Sequence, residues 1–159
     1  MLLIMLKITA TTLVANNTSK DKRMNYINVD KVELIKQGKN TILKVILCNT
    51  DTEKYYIEKR ELPWCFPNET YYYISQDGKD IETYRKIIKR RLPPSKFPDD
   101  YVEIDPKKCI TLDTNINDFF YFDQNKPLTI SYNSYNSNPI TKELDLIKFE
   151  KTFITYEKE

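Results

Sequence analysis

The sequence predicts an all-β protein, an antiparallel β-sandwich built as one domain over residues 1–159. Three observations predict it. Short runs alternate apolar and polar residues with period two, as half-buried strands do. Tyr, Thr, Ile and Val fill these runs, and such side chains suit a pleated surface. Turn-forming residues separate the runs at short intervals, and many short strands with regular turns make a sandwich or a barrel.

In chain order, the first expected strand is 6–14, where Leu6, Ile8 and Ala10 alternate with Lys7, Thr9 and Thr11. The apolar start MLLIMLKITATTLVA has no basic n-region, and Lys7 interrupts it, so it reads as a strand before a secretory signal. Next come 29–36 and 41–49, divided by Gly38-Lys39-Asn40; Leu43, Val45 and Leu47 share one face of TILKVILCN. Asn49-Thr50-Asp51 turns the chain into 53–58, and Pro67-Asn68 leads to 70–75. Asp77-Gly78 is a hairpin turn into 81–89, which Pro93-Pro94 stops. Pro98-Asp99 precedes 100–104, and Asp105-Pro106 precedes 108–113. Asn125-Lys126-Pro127 opens 128–135, where Leu128, Ile130 and Tyr132 face one way and Thr129, Ser131 and Asn133 the other. NSYNSNPITKE (133–143) reads as a polar loop. The last strand is 146–156, since the β-branched and aromatic residues of LIKFEKTFITY outweigh a helical reading.

Composition narrows the chemistry. A hydrophobic fraction of 40% with 13% aromatics is that of a folded domain, and 159 residues are enough for a full core. There is no histidine, which removes Ser-His-Asp and Cys-His catalysis and most catalytic zinc sites. The two glycines, Gly38 and Gly78, are too few and too far apart for a phosphate-cradling loop. No catalytic, cofactor-binding or metal-binding set stands out, and no cofactor is expected. The acidic residues Asp99, Asp100, Glu103, Asp105, Asp113, Asp118 and Asp123 have no calcium-loop spacing. Cys48, Cys65 and Cys109 contain no C-x-x-C pair; they are buried thiols, or one disulfide with a leftover thiol, and spacing does not choose the pair. No run approaches the ~20 apolar residues of a membrane-spanning helix.

The charged stretch is DGKDIETYRKIIKRRLPP (77–94). As a strand it puts Ile81, Thr83, Arg85, Ile87 and Lys89 on one face and Glu82, Tyr84, Lys86, Ile88 and Arg90 on the other. Neither face is purely basic. With 25 basic against 23 acidic residues, a nucleic-acid partner is not expected. A solvated strand comes first, and a patch for an acidic protein surface second. Trp64, the only tryptophan, is either a core anchor or an interface anchor. In YYY (71–73), alternation sends Tyr71 and Tyr73 one way and Tyr72 the other; this run and FFYF (119–122) should each expose a ring.

The order of pieces also resembles a known family. LKVILCNTDTEKYYIEKRELPW is similar to a strand, an Asn turn, and a strand leading to a Leu-Pro step. YYYISQDGKDIETYRKIIKRRLPP resembles a strand, an Asp-Gly turn, and a strand running into Lys-Arg and Pro. DDYVEIDPKKCITLDTNINDFFYF and LTISYNSY resemble the strands that follow. Together they look like the immunoglobulin-like domain that precedes the catalytic domain in deuterolysin and peptidyl-Lys metalloendopeptidase proteins. Arg85 and Lys107 stand where that family has glycine, and the zinc motif HExxH is absent, so protease activity does not carry over.

The resemblance implies an immunoglobulin-like antiparallel sandwich that binds another protein, a protease or a toxin. A stand-alone inhibitor or an immunity-like protein is the expected kind, and no enzyme. The expected contact residues are Trp64, Tyr84, Arg85, Lys86, Lys89, Arg90 and Arg91. The alternative is a carbohydrate- or surface-binding module that uses exposed tyrosines, with Tyr72 as the ring to test. A periplasmic or secreted location follows if the apolar start is an export-signal remnant, and a cytoplasmic one otherwise.

Overall fold

The computed structural model describes residues 26–63, 71–83, 93–154 and 157–158. The expected strand 6–14, most of 81–89, Trp64 and Cys65 lie outside the described residues.

The described strands are β1 (Ile27–Gln37), β2 (Asn40–Asn49), β3 (Tyr55–Glu58), β4 (Tyr72–Gln76), β5 (Lys79–Asp80), β6 (Tyr101–Ile104), β7 (Cys109–Asn115), β8 (Leu128–Ser137), β9 (Leu144–Phe153) and β10 (Glu157–Lys158). One sheet has the order β10-β1-β2-β7, the other β5-β4-β8-β9, and β3 pairs with β6 as a separate ribbon. The pairings are antiparallel except β1 with β10. With β1, β2, β4, β5, β7, β8 and β9 taken as A, B, C, C′, E, F and G, the sheets read A-B-E and C′-C-F-G. That is the immunoglobulin-type arrangement of two sheets linked by crossing connections.

The core forms where alternating side chains of the two sheets meet. Leu43, Val45 and Leu47 from β2 face Ile74 from β4, Leu128, Ile130 and Tyr132 from β8, and Ile147 from β9; all are buried. β1 keeps its apolar residues inward only through a bulge. Its register against β2 shifts between Val29 and Lys31, leaving Asp30 unpaired. Ile27 can then point inward at an odd position while Val32 and Leu34 do so at even ones. The ribbon adds Ile57 and Ile104 to the core. Asn49 clamps the ribbon to β2: its Nδ2 donates to the carbonyls of Glu53 (2.8 Å), Ile104 (3.0 Å) and Asp105 (3.3 Å).

Two expectations are corrected. The hairpin at Asp77-Gly78 is present, with both residues at positive φ (53° and 72°), as a two-residue turn between twisted strands requires. The strand leaving it, however, is only Lys79–Asp80. Ile81 and Glu82 are not strand, and Thr83 makes a single bridge to Phe120. The chain leaves the edge of β4 there, with the Ile81 N–H still donating to the Ile74 carbonyl (2.8 Å). The second correction concerns 133–143. β8 continues to Ser137 and β9 begins at Leu144, paired from Asn133↔Lys148 to Ser137↔Leu144, so the loop is only 138–143. The strand survives its polar composition because Ser134 and Asn136 find hydrogen-bond partners inside the sandwich.

The cysteine pairing left open by spacing is settled between the two sheet-one strands: Cys48 of β2 is bonded to Cys109 of β7, directly opposite in the ladder.

Candidate functional site

β8 organises two surfaces at once. Its inner face runs from apolar Leu128, Ile130 and Tyr132 to polar Ser134 and Asn136, all buried. The Ser134 hydroxyl donates to one oxygen of the buried Glu61 carboxylate, and the Tyr71 hydroxyl donates to the other (3.0 Å). The Tyr132 hydroxyl donates to the Glu61 backbone carbonyl (2.7 Å). One step on, Asn136 Nδ2 donates to the Tyr55 hydroxyl oxygen (3.0 Å) and the Tyr56 carbonyl (2.9 Å), while its Oδ1 accepts the Glu58 N–H (2.9 Å). Tyr55 in turn lies beside Asp145 on β9, whose carboxylate accepts the Tyr26 N–H (3.2 Å). A chain of satisfied polar groups thus ties the ribbon and the start of β1 to β8 and β9. Buried groups of this kind hold a sheet in one geometry when every member is partnered.

Burial pushes the Asp145 carboxyl above the usual aspartate range, and the nearby Tyr55 hydroxyl and the Tyr26 N–H only partly offset it. The folded protein therefore holds a proton there more tightly than the unfolded chain does. Stability from this group is greatest at low pH and is lost as pH rises from ~4 through the raised value. Melting wild type and Asp145→Asn side by side from pH 4 to 7 should show wild type losing ground to the variant as pH rises. A difference that stays flat across the window would refute the assignment. The Lys54 ammonium holds the exposed Glu103 carboxyl below its usual range, so that group acts in the opposite sense; both proteins share it, and it cancels in the comparison.

The outer face of the same sheet is different. Thr129, Ser131, Asn133, Tyr135 and Ser137 of β8 stand opposite Thr152, Glu150, Lys148, Leu146 and Leu144 of β9. Tyr73 of β4 joins them opposite Ser131. Lys148 and Glu150 are the only charges in these eleven positions. Tyr73 and Tyr135 are each 56% exposed and Leu144 67%. The Asp80 carboxylate beside Tyr73 raises the pKa of its hydroxyl.

The hairpin after β8 carries Ile140, 62% exposed. Its shape is set by Asn138, whose Oδ1 accepts the N–H groups of Ile140 (2.9 Å) and Thr141 (3.2 Å). The Asn138 N–H donates to Glu143 and its carbonyl accepts from Lys142, both at 2.9 Å, with Lys142 at φ 64°. An Asx turn of this type fixes the loop locally. The hairpin therefore presents its apolar residue from a fixed backbone.

All seven expected contact residues, Trp64, Tyr84, Arg85, Lys86, Lys89, Arg90 and Arg91, lie outside the described residues. Their described neighbours are anchored: the Pro63 carbonyl accepts from the Tyr72 hydroxyl, and the Pro93 carbonyl accepts from Arg60 Nη2 (3.0 Å). The expected alternation in YYY holds for Tyr72, which is buried, and Tyr73, which points outward, but not for Tyr71, which precedes the strand and packs inward against the core; in FFYF the ring turned out is Tyr121. Tyr72 is thus a core residue and cannot serve as a sugar platform. Sequence reasoning gave no role to Tyr135, which ends the expected strand 128–135 and falls in the expected loop 133–143, and left Leu144 outside any strand by starting the last one at 146; the signal was the period-two order of SYNSYNS, which runs on past Tyr132.

A second aromatic group lies on the ribbon. Phe97 meets Tyr56 (5.1 Å between centroids) and Tyr101 (5.6 Å) edge to face, which makes it a cap over the ribbon. Among the described residues no three His, Cys, Asp or Glu side chains are placed to hold a metal ion, and no helix is long and apolar enough to cross a membrane. In comparison with known proteins, the chain matches no protein-family model and no curated protein.

Proposed function

We propose that this protein is a non-catalytic binding module that grips another protein with the outer face of β4, β8 and β9 and the adjoining hairpin. The observation that carries the reading is the composition of that face. It is nearly uncharged and rich in Tyr, Ser and Thr with one Asn, and has Leu144, Leu146 and Ile140 at one end. Interface cores are depleted in charge and enriched in tyrosine, and Tyr with Ser and Asn is the working set of antibody-type contact surfaces. The rigid polar layer beneath supports it, since a preordered surface loses less entropy on binding. The resemblance to a protease-associated prodomain supports a protease or a toxin as the partner, although fold alone does not assign function. Trp64 and the basic residues of 84–91 remain the proposed second contact region.

Leu144→Asp and Tyr135→Ala should each leave the melting temperature within a few degrees of wild type, because neither side chain is in the core. Capture of partner proteins from the native source should fall at least tenfold with either variant. Equal capture by wild type and both variants would remove this face from the contact surface. The exposed Tyr73 and Tyr135 rings also favour a second reading, a carbohydrate platform. On a glycan array, a saturable signal lost in Tyr135→Ala would select that reading over the first.

A further inference from the structure

We infer that this protein is completed by oxidation, and that it works in an oxidising compartment. Cys48 and Cys109 occupy directly opposed positions of β2 and β7. The Asn49 N–H donates to the Lys108 carbonyl (2.9 Å), so the neighbouring pair is the hydrogen-bonded one. The cysteines therefore form the non-hydrogen-bonded pair, where side chains of antiparallel strands come closest, with Cα atoms 4.0 Å apart. The ladder itself brings the two sulfurs together, and no loop has to close around them.

The bridge spans 61 residues of sequence, a stretch that includes the ribbon, β4 and β5. It lies next to the Asn49 clamp that holds the ribbon to β2. Cross-linking so long a loop removes much of the freedom of the unfolded chain. β7 is a seven-residue strand whose described ladder is with β2 alone, so the bridge pins a sheet edge. Cys109 is exposed and Cys48 half-buried, which leaves the pair within reach of an exchange partner. Formation requires each thiol to lose its hydrogen; two electrons and two protons pass to an incoming disulfide donor, which leaves as a dithiol. Reducing cytosols hold such pairs as thiols, whereas the periplasm, the lumen of the secretory pathway and the cell exterior hold them as disulfides. The structure thereby favours the exported of the two locations that the sequence left open, whatever partner the outer face takes.

The experiment is thiol trapping. The protein is taken from its native source into acid, unfolded, and alkylated before and after reduction, and the cross-linked peptides are mapped. One free thiol per chain, on Cys65, with a peptide joining Cys48 to Cys109, is the expected result. Three free thiols, or a bridge that includes Cys65, would overturn the inference. As a separate readout, a dithiol reductant and the double variant Cys48→Ser/Cys109→Ser should each lower the melting temperature by about 10 °C. A melting temperature that neither treatment moves would overturn the claim that oxidation completes the fold.

Discussion

Tyr132→Ala is expected to lower the unfolding free energy by about 4 kcal/mol, the scale seen when a large buried aromatic is truncated. Tyr132 is 2% exposed and sits at the centre of an aromatic group. Its ring lies 4.8 Å from Tyr72, 6.1 Å from Tyr71 and 5.7 Å from Phe149, the last stacked. Truncation loses those contacts and leaves a cavity between the sheets. It also leaves the Glu61 carbonyl without its 2.7 Å donor. Tyr132→Phe separates the two effects, since it keeps the ring and removes only the hydroxyl; about 1 kcal/mol is expected for it. Urea unfolding checks both, with midpoints shifted and slopes unchanged. A loss under ~2 kcal/mol for the alanine variant would mean that the sandwich collapses around the gap, contrary to the packing described.

Asn136→Ala is the second large effect, about 3 kcal/mol, and its cause is unsatisfied polarity. Asn136 is fully buried and serves three groups at once: the Tyr55 hydroxyl, the Tyr56 carbonyl and the Glu58 N–H. Two of these are backbone groups, which no neighbouring substitution can remove. Asn136→Leu should therefore fail to recover the loss, although it refills the volume. Hydrogen exchange gives an independent check. The amides of Tyr55–Glu58 should lose protection in either variant more than those of β2, because the ribbon is released before the sheets. Uniform loss across the molecule would show that the ribbon and the sheets open as one unit.

Much of the fold was legible because strand alternation is a local property. Leu43, Val45 and Leu47 read as one face, and they are buried together. Leu128, Ile130 and Tyr132 read the same way with the same result, and Asp77-Gly78 announced its hairpin. The end of β8 was misread because polarity was taken to mean solvent. Ser134 and Asn136 keep the phase of the strand and point inward, so the period was right while the composition misled. The start of the strand after Asp77-Gly78 was misplaced for the opposite reason. Ile81 and Glu82 have strand composition, but the strand that leaves the turn is Lys79–Asp80, and residues 84–89 of the expected strand lie outside the described residues.

The sequence by itself determined that the protein is all-β, which residues alternate, where most turns fall, and that it holds no histidine and only two glycines. Only the tertiary structure decided which cysteines meet, which end of β8 buries polar groups, and which nearly uncharged face is left exposed. The reason is range. Alternation and turn chemistry act between residues a few positions apart, and one chain displays them. The partners that make a buried serine or asparagine tolerable are distant: Ser134 meets Glu61 across 73 residues, and Asn136 meets Tyr55 across 81. Cys48 finds Cys109 across 61 by the same kind of closure. No local pattern marks these pairings, because they are fixed only when the two sheets pack and the register of each ladder is set.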